Sequence, residues 1–494
     1  MSAPPGQRPP AGLAPDVAPL PRDAQGTLGV LRNRRFRSLW LSQVATQVGG
    51  NMVLYGLTIL VAERTNSSAS AVSLLLLTFL VPAVVFSAVA GVYVDRFDRR
   101  TILVAANLVR GIAFLVMLLV DTNLLAIYLL NVAVSTVTTL FAPAEASTIP
   151  FVVRREQLLA ANGLFTFTLQ ASFALGFAVL GPFMVLLLNV DGLLVLVAAL
   201  YLAAAVLCAT LPPVLPSAGA AGFRATAAFG EAEEAVAGTI GQLREGLGYI
   251  RAHPSIFWSL SYLGITASLI GVLGALGPSF AQHSLGLGPK DFVVVVLPLG
   301  AGLVLGILLL NAYGRYLPRR RVIEGGMLTL ALCLGLLAVA APFSNFLKAR
   351  AASNGLVELG PLVSLLAIVV VVAVVAGIAY AFVAVPAQTQ LQEELPADVR
   401  GRVFGVLNML VSVASFVPII VAGPVADLTS PDAVLLACGV LVAGVGLRSV
   451  VGPAPLRPVS AEPAPLGGAV DPVAVTAMPL ARQPDAHQRP GEGR

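Results

Sequence analysis

Charge is scarce in this chain. Asp, Glu, Lys and Arg together make up 11% of its 494 residues, against about 25% in an ordinary soluble domain. With 57% of the residues hydrophobic, too little polar surface is left to cover a water-soluble fold. Other shortages exclude particular chemistries. There are three cysteines, Cys208, Cys333 and Cys438, all in or at the ends of apolar stretches, so neither a disulfide framework nor a cysteine metal site is expected. The three histidines, His253, His283 and His487, fall in loops or the tail; they read as solvated residues, not a proton relay. No Gly-Lys-Ser/Thr phosphate loop is present, which argues against ATP-driven work and leaves no cofactor to expect. No metal spacing, nucleophile triad or nucleotide fold is visible, so an enzyme is not expected. The N-terminal 30 residues lack the basic, apolar and cleavage regions of a signal peptide, and the first apolar span is expected to direct insertion.

Long apolar runs, in contrast, are abundant. Stretches of about 20 residues recur, each able to cross about 30 Å of hydrocarbon as a helix. Segments such as Leu74 to Leu80 and Ile368 to Val375 show no apolar–polar alternation, so a membrane barrel is excluded. The expected fold is an all-α integral membrane protein with 12 transmembrane helices in two pseudo-symmetric six-helix bundles. The spans lie near residues 38–61, 70–94, 101–121, 124–142, 159–188 and 192–211, then 255–282, 291–313, 322–342, 360–384, 403–425 and 430–447. Residues 1–37 and 448–494 read as tails, mostly disordered, because they are rich in Pro, Ala and Gly. Residues 38–211 form the first bundle, 212–254 a linker ending in a short surface helix, and 255–447 the second bundle.

The basic residues report orientation. Of 30, 28 are Arg; 25 lie in the tails and the even-numbered links, four (Arg64, Lys290, Lys348 and Arg350) on the opposite side, and Arg110 within a span. The positive-inside rule then places both termini in the cytoplasm. The basic balance marks membrane orientation, and no nucleic-acid partner is implied.

The halves repeat each other. FAPAEASTIPFVVRREQLLAAN (Phe141 to Asn162) and VPAQTQLQEELPADVRGRVFGVLN (Val385 to Asn408) each follow the fourth span of a half, and Gly181-Pro182 matches Gly423-Pro424 in the fifth. Pro143 to Pro386 is an offset of 243 residues and Pro182 to Pro424 one of 242. A parallel duplication of six spans is a design in which a small molecule binds between two halves that rock around it.

The link between spans two and three, GVYVDRFDRR (Gly91 to Arg100), resembles the signature loop of the major facilitator superfamily. Gly91, Asp95, Arg96, Arg99 and Arg100 match, and Asp98 departs where that family often has Gly. The resemblance implies a cytoplasmic latch in which Asp95 faces the start of span eleven, near Arg402; the alternative is a plain topology anchor. A degraded copy, GRYLPRRR (Gly314 to Arg321), lacks the acid. The elements Phe141, Pro143, Ala144, Pro150, Ala161 and Asn162, with LREGLGYIRAHP (Leu243 to Pro254) and PADVRGRVFG (Pro396 to Gly405), look like the branch holding the enterobactin exporter and macrolide efflux pumps. That resemblance implies export of amphipathic molecules.

Polar residues inside spans mark interior faces, because an amide facing lipid is costly. Gln43, Gln47, Asn51 and Tyr55 recur at steps of four in span one and are candidates for a substrate cavity. So are Asn131 and Ser135 in span four, Gln170 in span five and Tyr262 in span seven. The alternative for each is interhelical glue, at about 0.6 kcal/mol apiece. Arg110, in the middle of span three, and Glu145, beyond span four, are candidates for energy coupling; the alternative is a structural ion pair, or for Glu145 a site in the headgroup layer. A carboxylate deep in the first spans is missing, so organic-cation specificity is not expected.

The leading functional reading is a proton-driven multidrug-type antiporter, a monomer in the plasma membrane that uses a small-molecule substrate, protons and surrounding lipid. Alternatives are a lysophospholipid flippase or solute importer of the same fold, or a receptor or scaffold without turnover. Orientation has a direct check. In a chain lacking the native cysteines, single cysteines at Ser67 and Ser430 should react with an impermeant thiol reagent on intact cells and one at Ala221 should not. Labelling at Ala221 without lysis would invert the topology.

Overall fold

A computed structural model describes residues 26–94, 97–213, 248, 250, 253–340, 365–394 and 400–451. A short helix α1 (Thr27–Arg32) leads into α2 (Arg34–Arg64), α3 (Ala69–Val94), α4 (Arg99–Leu119), α5 (Leu124–Val152) and α6 (Leu158–Phe173). A π-helical turn, Ala174–Leu180, then joins α6 to α7 (Gly181–Ala209). The second half holds α8 (Pro254–His283), α9 (Val293–Tyr313), α10 (Arg319–Ala338), α11 (Leu365–Glu394), α12 (Arg400–Leu428) and α13 (Pro431–Val451). No strand occurs among the described residues. The described helices fall in one compact unit, Met1–Leu456; the expected C-terminal tail from 452, the first 25 residues and nearly all of the linker lie outside the described residues.

Among the described residues, ten helical segments are long and apolar enough to cross a membrane, against the expected twelve. Two stretches bear on the difference. One segment, Arg155–Ala209, has 55 residues and turns back at Asn189, whose φ of 59° breaks α7; Asn tolerates this left-handed geometry better than most residues. The other is α12, of which Ser415–Leu428 is counted as a shorter apolar helix.

Helix starts carry their own caps, because the first backbone N–H groups of a helix lack internal acceptors. Asn33 accepts from the amides of Arg35 and Phe36, and its Nδ2 donates to the Val152 carbonyl at 2.6 Å, tying the start of α2 to the end of α5. Asn123 caps α5 through the amide of Ala126. Asp98 caps α4 by accepting from the amide and hydroxyl of Thr101 at 3.1 and 2.8 Å. The departure from Gly at position 98 thus has a local reason.

Two expected boundaries move. Span four is expected to end near 142 and span ten near 384, just before Pro143 and Pro386. Both prolines instead lie inside longer helices, α5 and α11. Thr139, Ser147 and Thr148 donate to carbonyls three or four residues earlier in the same helix, Thr136 and Ala144. Glu145 therefore sits on a helix wall, not in a link.

Helix pairings recur between the halves. α3 packs on α5 as α9 packs on α11, α4 on α7 as α10 on α13. The closest crossing is α9 on α11: a Cβ on Gly302 would collide with the backbone of Val374, and one on Gly377 with the Leu299 carbonyl. Across the halves, α12 packs on α3, and α9 on the π turn. One consequence bears on the labelling experiment above. Ser67 is buried in its loop, so the exposed neighbour Asn66 is the better cysteine site there.

Candidate substrate pathway and coupling site

The polar stripe of α2 runs along the packing surface of the first half and ends at the other half. Gln43 is buried and donates from Nε2 to the Phe165 carbonyl of α6 at 3.4 Å, while its Oε1 has no partner. Asn51 donates to the Gln47 carbonyl at 2.8 Å, and both side chains are partly exposed. Tyr55 is fully buried. Its ring lies parallel to Phe292 of the second half, with centroids 6.2 Å apart and planes at 12°, and edge-on to Phe177 at 5.9 Å. The Tyr55 hydroxyl has no hydrogen-bond partner.

Phe292 and Phe177 also line an apolar cavity of about 80 Å³. Its walls include Phe173 and Ala178 from the first half and Phe280 and Tyr380 from the second, with no Asp, Glu, Lys or Arg. The π turn shapes this wall, because the extra residue in each turn widens the helix and re-aims side chains. Gly176 and Gly181 let the turn approach α2 so closely that a Cβ on either would crowd Asn51 or Tyr55. The nucleating signal in the sequence, Gly176 and Gly181 spaced within an apolar run, is too common to identify such a turn beforehand.

The other cavity candidates have different neighbours. Asn131 donates to Thr78 Oγ1 at 3.0 Å and to the Leu75 carbonyl, and Ser135 to the Phe79 carbonyl. Of these bonds, the one from Ser135 falls beside Pro82 of α3, whose missing N–H leaves the carbonyl four residues before it without its usual donor; Asn131 instead takes the Thr78 hydroxyl and the Leu75 carbonyl. Tyr262 is buried, its hydroxyl 2.6 Å from Ser449 Oγ, which in turn donates to Glu324. Sequence reasoning overlooked Glu324, although the i,i+4 spacing from Arg320 signals it; the Arg320–Glu324 pair closes at 2.7 Å. Gln170 lies in α6, and its side chain is outside the described residues.

Arg110 and Glu145 share one buried region of the first half. Arg110, 2% exposed, donates from Nε to the Ala106 carbonyl at 3.1 Å and from Nη2 to Asn107 Oδ1, and lies between the rings of Phe141 and Tyr201 at 4.3 and 4.8 Å. Cation–π contacts of this kind gain strength when water is excluded. Tyr201 is held by its hydroxyl on the Thr46 carbonyl of α2. Glu145, 5% exposed, follows Phe141 by one turn of α5, and its Oε1 has no partner. No ion pair closes between the two side chains inside 4.0 Å.

The two ends of the helices differ. At the arginine-rich end Gly91 falls in the last turns of α3, Arg99 and Arg100 open α4, and Arg99 covers the Phe151 ring at 4.9 Å. Asp95, Arg96 and the side chain of Arg402, the parts of the expected latch, lie outside the described residues. At the opposite end a cross-half latch is present that sequence reasoning did not find. Asp427, near the end of α12, accepts from Ser68 Oγ and from the amides of Ala69 and Ser70 at 2.8, 2.8 and 3.0 Å, and so caps α3 from the other half. Gly423 presses against Ser73 and the Ala69 carbonyl beneath it. Lys290 pairs with Glu63 at 3.4 Å nearby.

An all-helical bundle with repeated pairings, a cavity shared by two halves and a breakable latch at one end is the architecture of a membrane transporter. The chain belongs to the Major Facilitator Superfamily, whose sequence profile matches residues 39–419. It is 24% identical over 432 residues to the uncharacterized MFS-type transporter YfiS of Bacillus subtilis, covering 86% of this chain and 94% of that one. Macrolide efflux protein A of Streptococcus pyogenes is 22% identical over 413 residues, covering 83% and 93%. Among solved structures, the nucleoside transporter NupG superposes with a TM-score of 0.58 at 15% identity, covering 84% of this chain and 98% of that one. A bacterial homologue of the iron transporter ferroportin, in an inward-facing state, gives 0.58 at 13%, covering 85% and 99%. The solved structures establish the fold, and membership of the superfamily makes the chain a multi-pass membrane transporter of a small molecule.

If the α2 stripe contributes to a pathway, Gln43→Leu and Asn51→Leu should lower transport or change substrate preference while insertion and thermal stability persist. The check is transport kinetics across a substrate panel. Normal kinetics in both variants would assign the stripe to packing alone.

Proposed function

We propose that this transporter is a proton-driven exporter of small amphipathic molecules, with both termini in the cytoplasm. The observation that carries the reading is the Asp427 cap on α3 from the other half. With the arginine-rich end cytoplasmic, this latch lies at the outer surface and closes the apolar cavity from outside. A few polar contacts hold it, a closure that substrate release would break and re-form at modest cost. The uncharged, aromatic walls suit an apolar ring system, and the free Tyr55 hydroxyl offers one polar handle. Similarity to macrolide efflux protein A supports export as the direction.

Asp427→Asn removes the anion from a helix N-terminus, an interaction worth about 0.3–1 kcal/mol at a surface and up to about 2 kcal/mol when partly buried. Outward opening should become more frequent, so an impermeant reagent should label a cysteine at Leu273, on the cavity wall, about five-fold faster, the factor expected for about 1 kcal/mol. Unchanged labelling would remove Asp427 from the gate.

Coupling to protons needs a group that changes protonation between the two access states, and Glu145, buried with one oxygen unpartnered beside Arg110, is the group we assign. Its repeat counterpart, Gln388, does not titrate, so the role belongs to the first half. In proteoliposomes Glu145→Gln should abolish substrate movement driven by a pH gradient and preserve movement down the substrate's own gradient. Survival of the pH-driven component would exclude Glu145 as the coupling site.

A further inference from the structure

Three arginines open α10, and the structure gives them different partners. Arg319 meets both carboxylate oxygens of Glu393 at 2.6 and 3.2 Å. Arg320 meets Glu324 and donates to the Ser449 and Val450 carbonyls at the end of α13, at 3.0 and 3.4 Å. Arg321 is exposed, and no acid lies within 4.0 Å of it among the described residues. Its side chain instead lines a groove of about 400 Å³ between α10 and α11, together with Leu317, Gly325, Thr329, Val375 and Phe382.

The groove exists because of two adjacent glycines with opposite roles. A Cβ on Gly326 would crowd the Ala379 carbonyl and the Val383 side chain, at 3.0 and 2.9 Å, so this glycine lets α10 and α11 touch at the groove floor. A Cβ on Gly325 would meet nothing within 4 Å; its missing side chain leaves the space above the floor empty. Leu317 and Val375, at 48% and 38% exposure, stand open at the rim, where a membrane-embedded helix pair faces lipid. From Arg321 to Thr329 an α-helix rises about 12 Å, less than half of the roughly 30 Å hydrocarbon core. The groove is therefore one leaflet deep, apolar along its length and basic at its headgroup end.

We propose that this groove binds one phospholipid with a net-negative headgroup, its acyl chain lying over Gly325 and its phosphate on Arg321. A guanidinium presents a planar fork of donors that matches phosphate oxygens. A zwitterionic headgroup brings its own cation to that phosphate and gains less from an unpaired arginine. One arginine near the surface favours an anionic lipid by about five-fold. The site is independent of transport direction and of the coupling group.

The test uses the full chain purified in detergent, with native mass spectrometry and thermal unfolding read against added phosphatidylglycerol, phosphatidylcholine or glycerol phosphate. Phosphatidylglycerol should remain bound as a single copy and raise the unfolding temperature; phosphatidylcholine should bind about five-fold more weakly, and glycerol phosphate, lacking a chain, should not compete. Arg321→Gln should erase the preference for phosphatidylglycerol over phosphatidylcholine. Gly325→Leu should fill the groove and lower retention of both lipids, with unfolding in lipid-free detergent unchanged. Equal retention of the two lipids by the unaltered chain, an intact preference in Arg321→Gln, or competition by glycerol phosphate would each overturn the proposal. If Gly325→Leu does not fold, Arg321→Gln, at an exposed position, still decides it.

Discussion

In hydrocarbon a backbone N–H or C=O without a partner costs several kcal/mol, and the architecture of this protein follows from meeting that demand. Helices satisfy their own interiors, so the difficult places are helix starts and prolines. Asn33, Asp98 and Asn123 serve starts within one half. Beside Pro82 in α3, Ser135 of α5 takes the Phe79 carbonyl and Asn131 the Leu75 carbonyl and the Thr78 hydroxyl, while Thr148 takes the Ala144 carbonyl of its own helix. Much of the polarity in the spans is thus spent on the backbone.

The same demand links architecture to movement. The start of α3 has its amides bound by Asp427, a residue of the other half. A helix capped by its own loop would keep its cap through any rigid-body motion; a helix capped by the opposing half loses it when the halves separate at that end. One interaction therefore both completes a helix and ties the two halves together at that end. The cavity between the halves has aromatic rings from both among its apolar walls, with Tyr55 stacked on Phe292.

Charges inside the fold follow a related rule: a buried ion must find polar or polarizable neighbours. Arg110 finds two aromatic faces, a carbonyl and an amide. Glu324 finds Arg320 and Ser449. Glu145, by contrast, keeps one oxygen unpartnered.

Hydrophobic run length alone determined that the chain spans a membrane as helices, since only a backbone with internal hydrogen bonds crosses hydrocarbon. The repeated prolines and the Gly91 to Arg100 loop were enough to place it in its family. Residue spacing marked Arg110 and Glu145 as unusual, because a charge among apolar neighbours is visible in one dimension. It could not show that Glu145 lies on a helix wall, since Pro143 reads equally as a stop or as a tolerated kink. Nor could it pair Asp427 with Ser68, more than 350 residues away. Contacts between halves depend on how two bundles dock, and docking is settled by the summed shape of many side chains, which leaves no local pattern in the chain.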